Sequence, residues 1–135
     1  MRAPGSARLA LLVDLTFVLL FATVGRISHA GGVTVTGVLA VAWPFVAALL
    51  VGWAIAHRRG GWPVRMPGST TVWLVTVALG LGLRVATGGG FAWSFGVVTL
   101  LTLGLFLIGW RCAVEVFRFV QEGLNRWADR AAARR

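Results

Sequence analysis

The sequence predicts an all-α membrane protein: a polytopic, four-transmembrane-helix up-down bundle with a basic C-terminal amphipathic helix. Three observations carry this reading. Of 135 residues, 58% are hydrophobic and only 13% are charged. A soluble domain of this size keeps roughly a third of its surface exposed and cannot hide so much apolar area. Four long apolar runs follow one another. All 13 basic residues are arginines, and most flank those runs.

The first run extends from Leu9 to Gly25 and is interrupted only by Asp14 and Thr16. The second, Val33 to Ala56, has no charge. The third, Thr70 to Ala86, contains Arg84, and the fourth, Phe91 to Trp110, is again uncharged. Each approaches the ~20 residues that an α-helix needs to cross about 30 Å of hydrocarbon. Helices are preferred to strands because a lone span must satisfy its own backbone hydrogen bonds in lipid. The connections are short and carry Gly or Pro, so neighbouring spans are expected to run antiparallel. The domain plan is a cytoplasmic N-terminus over 1–8, a membrane domain over 9–111 and a cytoplasmic helix over 112–135.

Charge supplies the orientation. Arg2 and Arg8, then Arg58, Arg59 and Arg65, then Arg111, Arg118, Arg126, Arg130, Arg134 and Arg135 fall on one side of a four-span chain. Only Arg26 and Arg84 remain for the other half. Positive residues concentrate in cytoplasmic loops, so both termini are expected in the cytoplasm and the protein in the plasma membrane. The same asymmetry reads the net charge of +9 as a topology signal, with no nucleic acid as partner. A cleavable signal peptide ending near Ser28-His29-Ala30 is not expected, because Asp14 breaks the apolar core and Arg26 precedes that site. Trp53, Trp73, Trp93 and Trp110 stand at predicted span ends, where indoles favour the interface.

Beyond Trp110 the pattern changes. Phe117, Val120, Leu124, Trp127 and Ala131 recur at helical spacing, with Arg118, Glu122, Asp129 and Arg130 off that stripe. This predicts a helix along the cytoplasmic surface whose arginines meet anionic lipid headgroups. A partner-binding helix is the other reading.

Chemistry is sought first at charges inside spans, which are costly to insert. Asp14, Val18, Phe21 and Gly25 form one stripe; Thr76, Gly80, Arg84 and Gly88 form another. Both charges are therefore expected to face the bundle interior. An Asp14–Arg84 pair must close a depth offset of about 12 Å at 1.5 Å per residue. Arg111, at the cytoplasmic end of the fourth span, competes for Asp14. Arg84 with Arg26 and His29 forms an outer polar rim suited to an anionic group. Trp43-Pro44 marks a kink, either for packing or to shape a cavity. No P-loop, dinucleotide fingerprint, catalytic constellation or metal spacing is present, so no cofactor or metal is expected. The single Cys112 says nothing of redox compartment.

Asp14, Gly25-Arg26 with His29, Trp43-Pro44-Phe45, Gly52-Trp53, Val72-Trp73 with Thr76, Leu83-Arg84 and Gly109-Trp110-Arg111 occur in an order that resembles the domain of unknown function 3054 family, small prokaryotic multi-pass membrane proteins. The resemblance covers Leu9 to Arg111 and implies a four-span membrane domain with no assigned activity. The expected function is a non-enzymatic membrane module or accessory subunit, as a homodimer or with a membrane partner protein. The alternative is an oligomeric small-solute or ion transporter or channel using Asp14 and Arg84. An enzyme acting on lipid or quinone has the least support.

Overall fold

The computed structural model describes residues 4–27 and 33–133. Those residues form four α-helices and no strand: α1 (Pro4–Ile27), α2 (Val35–Gly60), α3 (Gly68–Ala86) and α4 (Trp93–Ala132). All four are long and apolar enough to cross a membrane. Each helix packs on its sequence neighbours, and α1 also packs on α4, which closes a four-membered ring.

Local chemistry explains the boundaries. α1 is described from Pro4, a residue type that suits a first helical turn. Thr34 caps α2 by accepting a hydrogen bond from Gly37 N at 3.1 Å. α2 continues one turn past Ala56 through His57, Arg58 and Arg59, cations that suit the negative end of a helix dipole. It stops at Gly61, whose φ of 97° is open to glycine at little cost. Pro44 does not break α2, which is helical on both sides of it.

The largest departure from the sequence reading is α4. It runs unbroken for 40 residues, about 60 Å at 1.5 Å per residue, so no break separates the fourth span from the C-terminal segment. Every described residue from Cys112 onward is exposed. The Phe117–Val120–Leu124–Trp127 stripe stays open, at 51–72% exposure.

The core is built where small residues admit large ones. A Cβ on Gly80 would lie 2.4 Å from Phe45 Cδ1, so only glycine lets the fully buried Phe45 reach α3. A Cβ on Gly52 would meet the Val72 backbone at 3.1 Å, which marks the close approach of α2 and α3. Phe21, Phe45 and Phe95 meet across α1, α2 and α4, with Phe21 edge-on to Phe45 at 5.3 Å between centroids. Phe17 stacks on Phe106 at 4.9 Å.

Candidate functional site

Two polar sites lie at different levels of the bundle. The first centres on Asp14, in the middle of α1 and fully buried. Its partner is Arg111 from α4, 2% exposed. The guanidinium grips the carboxylate in a fork: Nη1 donates to Oδ1 and Nη2 to Oδ2, each at 2.8 Å. Two indoles complete the carboxylate's shell. Trp53 Nε1 donates to Oδ2 at 2.9 Å and Trp110 Nε1 to Oδ1 at 3.0 Å.

The guanidinium is equally occupied. Arg111 Nε and Nη2 donate to Pro63 O at 3.2 and 2.9 Å, and Nη1 also donates to Leu107 O. Its Cζ sits 4.5 Å from the centroid of the Trp110 ring, in a cation–π contact. A carboxylate offers about four acceptor sites, and a guanidinium has five N–H donors. Four bonds reach the first and five leave the second, so the unit is neutral and saturated. It ties α1, α2, the loop after α2 and α4 at one point. Arg65 Nε and Glu115 Oε1, 2.8 Å apart at the surface, add a second tie between that loop and α4.

A cleft of about 210 Å³ opens beside this clamp, lined largely by apolar side chains such as Leu9, Val13, Val64 and Val114. Arg111 borders the cleft but has no N–H left to offer a guest.

The second site lies at the other polar level. Arg26 and Arg84 occupy the last turns of α1 and α3 and are half-buried. They border one cavity of about 70 Å³ with Phe21, Gly25, Val41 and Phe95. Arg84 Cζ lies 4.6 Å from the Phe95 ring centroid. The Nε atoms of both arginines are buried without a hydrogen-bond partner. Glycines make room for them: a Cβ on Gly37 would meet Arg26 Nε at 2.7 Å, and one on Gly89 would meet Arg84 Cγ at 2.7 Å.

The structure therefore separates Asp14 from Arg84. Arg111 takes Asp14, because it emerges at the same depth and needs no 12 Å reach, whereas Arg84 joins Arg26. His29, the third member of the expected rim, lies outside the described residues. At Trp43-Pro44, Pro44 is buried within α2, while Trp43 is 46% exposed.

The tryptophan reading also changes. Of the four expected interfacial anchors, only Trp93 is freely exposed, at 81%. Trp53 and Trp110 bind Asp14, and Trp73 donates to Leu100 O at 3.1 Å while packing over Gly104. An indole has one N–H, and at these three positions a protein acceptor takes it. The signal for Trp53 and Trp110 was present in the sequence as Gly52-Trp53 and Gly109-Trp110-Arg111, but their convergence on Asp14 is a tertiary fact.

Among the described residues, no three His, Cys, Asp or Glu side chains gather as metal ligands do. Four long apolar helices around a buried, neutralised ion pair define a multi-pass helical membrane protein. Residues 11–114 match the family described as protein of unknown function DUF3054, and the chain belongs to that family. The match ends just past the clamp and leaves most of the α4 extension outside it. No curated protein and no solved structure matches the chain.

Proposed function

We propose that the protein is a non-enzymatic membrane module, an accessory subunit or self-associating scaffold, whose bundle holds the α4 extension at the cytoplasmic surface. The observation that carries this is the saturated Asp14–Arg111 clamp. A proton carrier or substrate ligand needs a free lone pair or donor. Here each one already has a protein partner. The arrangement suits mechanical fixation of α4 against α1 and the Pro63 loop.

The bundle is up-down. Along α1, the sequence Asp14, Phe17, Phe21 meets Arg111, Phe106, Phe95 in descending order on α4. The pairs Gly52 with Val72 and Phe45 with Gly80 run the same way between α2 and α3. With the arginine bias, this supports a reading in which both termini and the Gly60 loop are cytoplasmic. The extension then carries Arg118, Arg126 and Arg130 beside an apolar stripe, an amphipathic surface for anionic headgroups or for a partner chain.

Topology is tested by single cysteines in a Cys112→Ser background, labelled in intact cells with an impermeant maleimide. Phe91→Cys is expected to react from outside, and Gly60→Cys and Arg130→Cys only after lysis. The reverse pattern overturns the orientation. The non-transport reading is tested in proteoliposomes against a panel of ions and small solutes. Wild type and a folded Asp14→Asn variant are both expected at the empty-vesicle rate. A wild-type flux abolished by Asp14→Asn would establish the transporter instead.

A further inference from the structure

The two arginines of the second site lack a counter-charge anywhere in the chain. There are four acidic side chains, Asp14, Glu115, Glu122 and Asp129. Asp14 is bound to Arg111, and the other three lie on the α4 extension beyond Arg111. Arg26 stands twelve residues along α1 from Asp14, about 18 Å at 1.5 Å per residue. Residues 28–32 contain no acid either. Two half-buried cations with buried, unpartnered Nε atoms thus border one cavity, and no acidic side chain is placed to neutralise them.

The neighbourhood tells which kind of anion fits. The 70 Å³ cavity is about two water volumes, enough for a small oxyanion group. It does not stand alone. An apolar groove of about 430 Å³ runs between α1 and α4 and shares Phe21, Gly25 and Phe95 with it. The groove continues past Val98 and Thr102 to Phe106. From Phe95 to Phe106 is about 16 Å of helix, close to half the ~30 Å hydrocarbon thickness, the depth of one leaflet. A cationic pocket at the head of a leaflet-deep apolar groove is complementary to an anionic amphiphile. A guanidinium fork matches phosphate oxygens in geometry as well as charge.

We infer that Arg26 and Arg84 bind the phosphate of one net-anionic phospholipid whose acyl chain lies in the α1/α4 groove. The inference rests on the helices crossing the bilayer but not on their orientation, so cysteine labelling and lipid binding fail independently. The bound lipid would fill the groove between α1 and α4 and neutralise the two arginines.

The test uses the full chain purified in neutral detergent. It is titrated with phosphatidylglycerol or phosphatidylcholine of identical acyl chains, and bound lipids are counted by native mass spectrometry. Wild type is expected to hold one phosphatidylglycerol more than Arg26→Gln/Arg84→Gln, and to prefer it over phosphatidylcholine by at least about tenfold, because both lipids offer the phosphate but the choline cation opposes the two guanidiniums. The charge-matched control Arg58→Gln/Arg59→Gln is expected to behave as wild type, which separates this site from general attraction to a basic chain. Val98→Trp, which fills the groove and leaves every charge, is expected to lose the same lipid. Equal retention of the two lipids by wild type overturns the proposal. So does undiminished phosphatidylglycerol binding by a folded Arg26→Gln/Arg84→Gln or by Val98→Trp. Displacement of phosphatidylglycerol by an equal concentration of inorganic phosphate also overturns it, since that marks a free-anion pocket. If the double arginine variant does not fold, the two-lipid comparison on wild type and the Val98→Trp result decide.

Discussion

Asp14→Asn is expected to destabilise the bundle by about 3–5 kcal/mol, the cost of breaking a buried ion pair from one side. The amide keeps the shape of the carboxylate but turns one acceptor oxygen into a donor. It then faces donors from Arg111, Trp53 or Trp110 that have no other place to go. Arg111 is left charged at 2% exposure, with Pro63 O and Leu107 O as its remaining partners. Arg111→Gln is expected to cost a similar amount, because it strands the carboxylate. Arg111→Lys is not a rescue, since a point charge cannot make both fork contacts. The double change Asp14→Leu/Arg111→Met removes both charges and is expected to lose clearly less than the sum of the single losses. Unfolding in mixed micelles of rising SDS content, followed by circular dichroism, measures all of these. Single losses under about 1 kcal/mol, or a strictly additive double, would show that Asp14 and Arg111 do not act as one unit.

Gly80→Ala is the second large effect. The added methyl would sit 2.4 Å from Phe45 Cδ1 and 2.8 Å from Cε1. Phe45 cannot retreat, being fully buried and held against Phe21 and Phe95. Overpacking of this kind costs about 1–3 kcal/mol. The same unfolding assay is expected to show that loss. It is also expected to show partial recovery in Gly80→Ala/Phe45→Leu, where the smaller side chain vacates the space. Gly82→Ala is the internal control: nothing lies within 4 Å of a Cβ there, so it is expected to be neutral or slightly stabilising. Equal behaviour of the two alanine variants would remove the argument that Gly80 sets the α2–α3 distance.

Most of the fold was legible because lipid imposes a simple code. Apolar runs of span length announce helices, and Asp14, Val18 and Phe21 mark an inward face that the structure buries. The third span illustrates the same rule, with Thr76 and Gly80 buried on the predicted stripe. The end of α4 was not legible. The rise in charged residues after Trp110 does not say that the helix stops, and no Pro interrupts the chain there.

The site was legible by residue and not by pairing. Asp14 and Arg84 stood out because a charge in a span demands a partner, yet Arg84 lies on the wrong level for Asp14. Arg26 and Arg84, the two arginines left over in the count, border one cavity. An amphipathic indole suits a membrane interface and a buried carboxylate alike, so a place near a span end does not reveal that Trp53 and Trp110 bind Asp14.

The sequence by itself determined that this chain lives in a membrane, how many apolar helices it has, which faces turn inward and which few charges need explaining. Those are properties of one helix at a time, set by hydropathy, periodicity and the cost of charge in hydrocarbon. Only the tertiary structure decided that Asp14 belongs to Arg111, that two indoles and the Pro63 carbonyl complete the pair, and that Arg26 and Arg84 share a cavity opening on a groove. The reason is depth and azimuth. Whether two side chains meet depends on the relative rise and rotation of separate helices. Those quantities are set by close contacts such as Gly80 against Phe45, which no single span encodes.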